Sequence, residues 1–220
     1  FLDPEKIKGR LAEIDDKKNN FNFFKPSSKQ FYQSSNVIEI EWLLAQILEE
    51  HDIRSKLVAS VCAIENCSYQ VQDELMNLEA HDLANVFITG TYKNTEMLFP
   101  PVPNFIFTRD IGIVINDHIL LNKPAKQART REALLMKYIF FNHSLFKNYR
   151  DNIIELPESP QQFLLPADSE DKLVTLEGGD IMVVSPEHVL IGVSERTSME
   201  AAHIAVKTLF EKNVVKKISV

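Results

Sequence analysis

The chain has 220 residues, 45% hydrophobic and 25% charged, with a formal net charge of −7. This balance supports a globular core and excludes disorder as the default state. The acidic excess repels phosphate backbones, which argues against a nucleic-acid partner, and no stretch approaches the ~18 apolar residues that a membrane span needs.

In chain order, Asp3-Pro4-Glu5 is a helix start, with Asp as cap and Pro at the first helical position. Ile7, Leu11 and Ile14 follow at helical spacing and predict a helix over 4–18. Residues 19–36, rich in Asn, Ser, Phe and Lys, read as a loop, and Val37–Ile40 as a short strand. From Glu41 to Thr89 apolar residues recur three and four apart in four runs, the pattern of helices packed on helices. The simplest reading of that stretch is a helical module without chemistry. Its two cysteines, Cys62 and Cys67, lack the further ligands of a zinc site and are expected as reduced thiols of a cytosolic protein.

The character changes at Pro100-Pro101-Val102-Pro103. Short β-like runs follow at 104–108, 112–115 and 118–121, with Asn116-Asp117 as a tight hairpin turn. Residues 126–142 read as helix, with strands at 153–156 and 163–165. Further strands are expected at 173–176, 181–184 and 189–193, then a helix over 198–212 capped at Thr197 or Ser198. This is a ββαβ rhythm, and it predicts an α/β (α+β) fold with an inserted helical bundle. No internal repeat stands out. The domains expected are 1–36, an incomplete N-terminal part; 37–99, a strand plus helical module; and 100–220, the ββαβ modules. The start has no initiator methionine and no signal peptide, and Lys216–Val220 reads as a strand barely begun, so both ends look cut from something longer.

Three local patterns offer chemistry. In Pro103–Asp110 an apolar run ends in Arg109-Asp110; a carboxylate there can clamp a cation, its two oxygens matching two N–H donors of a guanidinium. An exposed strand-end ion pair fits that peptide as well. In Glu177-Gly178-Gly179-Asp180 the two glycines interrupt a β pattern, marking a bulge, a sharp turn or a place where a ligand meets the backbone. In Ser194–Ser198, Arg196 stands ahead of a helix cap, where it could bind a carboxylate bidentately or simply belong to the connection. There is no phosphate-binding glycine loop and no nucleophile elbow. The six histidines are scattered, and His118, His143 and His188 read as surface or turn residues.

Taken in order, the segments resemble the arginine deiminase family of guanidine-modifying enzymes. The matching strings are Pro-Asn-x-x-Phe-Thr-Arg-Asp at 103–110, Ala128-Arg129-x-x-Glu132, Glu-Gly-Gly-Asp at 177–180 and Ser-Glu-Arg-Thr at 194–197. Asn-Val-Ile-Glu-Ile-x-x-Leu-Leu at 36–44 and Leu83–Gly90 are similar to the borders of the family's helical insertion. The resemblance implies a five-bladed ββαβ pseudo-propeller, present here in part. It implies hydrolysis of L-arginine to citrulline and ammonia through a cysteine-bound intermediate, without metal or organic cofactor, in the cytoplasm. It gives Asp110 the guanidinium nitrogens, Phe107 a flanking place, and Glu177 the substrate's far end or the orientation of a catalytic histidine, supported by Asp180. It gives Asn104, Arg129 and Arg196 the α-amino and α-carboxylate end. The His-x-Asp motif and the nucleophilic cysteine are expected beyond Val220, so the fragment alone is expected to be inactive. An amidinotransferase on the same scaffold and a non-catalytic arginine-binding relative are the alternatives. A homo-oligomer is compatible with the chain, whose oligomeric state is illegible in the sequence.

Overall fold

A computed structural model describes residues 40–92, 96–103, 105, 107–157 and 174–220. The expected helix over 4–18, the loop over 19–36, the strand residues 37–39 and the strand at 163–165 lie outside these. The chain divides into two compact units, Phe1–Leu43 and Leu44–Val220.

The helical stretch contains α1 (Ile40–Leu48), α2 (His51–Ile64), α3 (Tyr69–Met76) and α4 (Ala80–Thr89). Ile40, expected in a strand, opens α1 instead. The predicted apolar stripes form the interior, where Leu57, Val58, Val61, Leu75, Leu83 and Phe87 are buried. Each such side chain contributes about 1.5–3 kcal/mol relative to exposure. Helix ends leave carbonyls without partners, and Arg54 collects several of them. Its Nε donates to Leu48 O at 2.7 Å and its Nη1 to Met76 O and Leu78 O at 3.3 and 2.9 Å. Helix α4 stops at Gly90, whose φ of 73° is left-handed. A Cβ there would also lie 1.9 Å from Phe99 O, so glycine is required twice over. A short ribbon of β1 (Thr91–Tyr92) and β2 (Glu96–Met97) leads to the prolines.

Beyond them the expected ββαβ rhythm occurs twice. In the first module β3 (Gly112–Ile115) pairs antiparallel with β4 (His118–Leu121), and α5 (Thr130–Asn142) returns the chain to β5 (Ile153–Ile154), parallel to β4. In the second, β6 (Ile181–Ser185) pairs antiparallel with β7 (His188–Ile191), and α6 (Met199–Glu211) leads to β8 (Lys217–Ser219), parallel to β7. A bulge between Val183 and Ser185 distinguishes the second hairpin. The modules share one core, in which Ile113, Ile115 and Leu120 join Val189, Ile191, Ala201, Ala205 and Leu209. Asn116, at φ 55°, turns the first hairpin, and its amide donates to Pro186 O and Val214 O at 2.9 and 2.8 Å. Lys123 and Leu176 exchange backbone hydrogen bonds at 2.9 and 2.8 Å.

Several local expectations change. The strand at 104–108 is replaced at its end by a 3₁₀ turn over Thr108–Asp110, closed by Asp110 N donating to Phe107 O at 3.0 Å. The prolines just upstream lack the N–H groups a ladder needs. Of the strand at 173–176, whose first residue lies outside the described residues, a single bridge at Leu176 is present, and the strand at 153–156 reduces to two residues. His143 stands at the bend after α5, as a turn residue, and is buried there: its Nδ1 accepts from Leu145 N at 3.1 Å and its Nε2 lies 2.7 Å from Gln46 Oε1. Cys62 and Cys67 are both free thiols.

Candidate functional site

Two 3₁₀ turns, Thr108–Asp110 and Gly178–Asp180, each run directly into a hairpin. They pack backbone to backbone. A Cβ on Gly178 would sit 1.9 Å from Arg109 O, whereas one on Gly179 would meet nothing nearer than Asp110 Oδ1 at 3.6 Å. The glycine pair is therefore a turn with a close approach, and what approaches Gly178 is the chain's own Arg109 carbonyl. This contact places Asp110 and Glu177 on neighbouring turns.

Between them lies the guanidinium of Arg129, itself buried. Arg129 Nη1 is 3.3 Å from Asp110 Oδ2 and 3.1 Å from Glu177 Oε2, and Arg129 Nε donates to Glu132 Oε2 at 3.0 Å. Arg196 Nη1 reaches the same Glu177 Oε2 at 3.1 Å from the other side. Glu177 Oε1 accepts from Ala125 N at 3.3 Å, and Glu177 N donates to the buried Thr197 Oγ1 at 3.1 Å. Burial, the largest influence on Arg129, lowers its pKa. The hydrogen bond and charge of Glu132, with the charges of Glu177 and Asp110, outweigh it, so the net shift is upward. Arg129 is thus a fixed cation.

A neighbouring knot ties down the Arg196 loop. Ser194 Oγ donates to Asp180 Oδ2 at 2.7 Å and accepts from Arg196 N and Thr197 N at 2.9 and 3.2 Å. Ser198, not Thr197, caps α6, accepting from Ala201 N at 3.1 Å. On the other flank Arg131 is buried with its Nη1 2.5 Å from Glu65 Oε1, its Nη2 on Pro100 O and its guanidinium 4.4 Å from the Phe99 ring centroid. Burial lowers the Arg131 pKa despite Glu65. This arginine joins the end of α2 to the start of α5.

Of the residues singled out in the sequence, the structure brings Asp110, Arg129, Glu177 and Arg196 into one ion-pair network, with Asp180 attached through Ser194. Phe107 is 52% exposed and supplies the backbone acceptor for Asp110. Asn104 lies outside the described residues. Sequence reasoning gave no role to Glu132, Ser194 or Ala125 and read Thr197 only as a cap. Glu132 carried a signal, since Arg129-x-x-Glu132 at the head of a helix has the i,i+3 spacing of an ion pair. Ser194 and Thr197 carried none, because their partners are remote in sequence.

Chemically, carboxylates on two turns face one planar cation in a partly buried setting, an arrangement suited to holding a guanidinium. Neither described cysteine belongs to the network. Cys62 lies within α2, and burial above all, with Cys67 beside it, pushes its thiol up to about 12. Among the described residues no group of three or more His, Cys, Asp or Glu is placed to hold a metal.

The arginine deiminase family model matches residues 48–220. The arginine deiminase of Borrelia recurrentis is 29% identical over 201 residues, covering 81% of this chain and 46% of that protein. The arginine deiminase of Listeria monocytogenes serotype 4a is 28% identical over 204 residues, covering 82% and 47%. That of Bacillus cytotoxicus is 29% identical over 205 residues, covering 83% and 47%. The chain therefore spans about half the length of the curated relatives it matches. Among solved structures, a dimethylarginine dimethylaminohydrolase adduct with S-methyl-L-thiocitrulline aligns at TM-score 0.39 and 21% identity, covering 55% of this chain and 41% of that one. With its family model running through the helical module and both ββαβ modules, the chain belongs to the arginine deiminase family.

Proposed function

We propose that the full-length protein hydrolyses the guanidinium of L-arginine to citrulline and ammonia, and that Asp110 and Glu177 grip that guanidinium. The observation that carries this reading is Arg129: its guanidinium already rests between those two carboxylates, at 3.3 and 3.1 Å. A guanidinium is a stable cation, so nucleophilic attack on its carbon needs flanking carboxylates to hold it and a general acid to protonate the departing nitrogen. Phe107 would flank the substrate, and Asn104, Arg129 and Arg196 would receive its amino-acid end. Asp180 would support the corner through Ser194. The reaction so read uses no metal or organic cofactor, and its thiolate and His-x-Asp come from outside these 220 residues. The two ββαβ modules are in keeping with an α/β pseudo-propeller carrying the helical module as an insertion. A cytoplasmic protein acting on a free amino acid completes the reading, in keeping with reduced thiols and with the lack, among the described residues, of any helix long and apolar enough to cross a membrane.

The test is citrulline and ammonia release from arginine by the full-length protein, with and without glycine as acceptor. Release without glycine is expected. Product formed only with an acceptor amine rules out the deiminase in favour of an amidinotransferase. Asp110→Ala is expected to abolish turnover, and unchanged activity in that variant would show the guanidinium grip to be misplaced.

A further inference from the structure

The Arg129 guanidinium has three edges in three different situations. Nε is committed to Glu132, whose side chain is fully buried in the first turn of α5. Nη1 is shared between Asp110 and Glu177 at 3.3 and 3.1 Å, the longer contacts of the set. Nη2 is buried and has no hydrogen-bond partner among the described residues. A buried guanidinium N–H without an acceptor is costly, and buried polar groups normally find partners. Nη2 is therefore an open donor, and Nη1 is a donor held by carboxylates that an incoming guanidinium would also claim.

We propose that Glu132 is the positioning residue of this site: by anchoring Arg129 through Nε it keeps Nη1 and Nη2 aimed at a ligand carboxylate once a ligand's guanidinium has claimed Asp110 and Glu177. The inference rests on the function proposed above. Without the anchor, Arg129 displaced by an incoming guanidinium would have nothing to hold it where a ligand carboxylate could meet it. With it, one side chain fills the grip when empty and reads the far end of the ligand when full. Glu132 acts through Arg129 and touches no reacting atom. Its effect falls on discrimination between arginine and its decarboxylated analogue agmatine, which carries the same guanidinium and no carboxylate.

The experiment compares full-length parent protein with Glu132→Gln and Glu132→Asp by calorimetric titration with arginine and with agmatine. Glutamine keeps the shape and removes the charge; aspartate keeps the charge and draws it back from Nε. In either variant arginine binding should weaken by about 10-fold or more, the scale of one charge-assisted hydrogen bond, while agmatine binding stays within about 2-fold. Thermal midpoints identify a variant that fails to fold, and the other then carries the comparison. Equal weakening for both ligands would mean a merely structural role and overturn the inference, as would unchanged arginine affinity. Citrulline release in the same samples reports separately on the reaction. A parent that binds arginine but releases no citrulline sinks the deiminase reading and leaves the anchor standing.

Discussion

The two ββαβ modules share strand order, strand directions and helix length, yet serve the site differently. Their turn aspartates, Asp110 and Asp180, and their hairpin histidines, His118 and His188, stand seventy positions apart. Both modules send a residue from just ahead of the helix toward Glu177. In the first this is Arg129, which binds the Glu177 carboxylate; in the second it is Thr197, which accepts from the Glu177 backbone N–H. Asp110 faces a guanidinium, while Asp180 holds a serine hydroxyl. One topology thus supplies a turn carboxylate that meets a guanidinium and another that ties down a loop. The difference lies mainly in a few side chains near the turns and the helix starts, beside one bulge in the second hairpin.

The strongest way to break this comparison is to separate the two turns. Gly178→Val would drive a Cβ into the Arg109 carbonyl, a backbone atom that cannot swing aside. A loss of about 3–5 kcal/mol in chemical denaturation is expected. Gly179→Ala, whose Cβ would have ordinary contact with Asp110, should stay within about 0.5 kcal/mol. Comparable losses in the two variants would show that the turns do not depend on this approach.

The next effect is Glu177→Ala. Breaking a buried pair by removing one partner costs about 3–5 kcal/mol when the remaining charge is stranded. Arg129 retains Glu132 and Asp110, and Arg196 is 39% exposed, so about 2–3 kcal/mol is the expectation in urea melts. A neutral result would mean that Glu177 is held by its backbone alone, through Thr197.

Much of this was legible in the sequence, and the gaps have identifiable causes. Helical periodicity located α1–α4, because one buried stripe repeats at 3.6 residues. The hairpin at 112–121 was legible from apolar runs around Asn116-Asp117, and the strands of the second from the apolar runs at 181–184 and 189–193. The repeat was not, since the two modules share topology while few of their residue types coincide. The turn at 108–110 was read as a strand end because Phe105, Ile106 and Phe107 look like a strand core, while three upstream prolines set the backbone. Charges were found as candidates one at a time. Their convergence on Arg129 depends on the Gly178 contact, which no local pattern announces.

Thr197→Val sharpens the comparison further. It keeps the shape of the second module's contact and leaves the Glu177 N–H buried without its acceptor. About 1–3 kcal/mol of destabilisation is expected in denaturant unfolding, with the Arg129 contacts intact. A loss larger than that of Glu177→Ala would show that the Thr197 hydrogen bond, not the ion pairs, fixes Glu177.

The smallest effect distinguishes the far ends of the two helices. Helix α6 ends on exposed Lys212 and Asn213, whereas α5 ends on buried His143. Burial holds the His143 pKa below its ordinary value of 6.5. Its Nδ1 accepts from Leu145 N, which places the proton of the neutral ring on Nε2, toward Gln46 Oε1. A second proton would have to displace the Leu145 hydrogen bond. The unfolded chain therefore binds that proton at a higher pH than the folded one. His143 contributes stability that is fully present above the ordinary histidine value and is lost as pH falls through the folded-state value. Thermal midpoints should be level near neutrality and decline below about pH 6.5. His143→Gln should flatten that decline before carboxylate protonation begins at lower pH. An unchanged slope in this variant would assign the acid sensitivity elsewhere and leave the two helix ends alike in their response to pH.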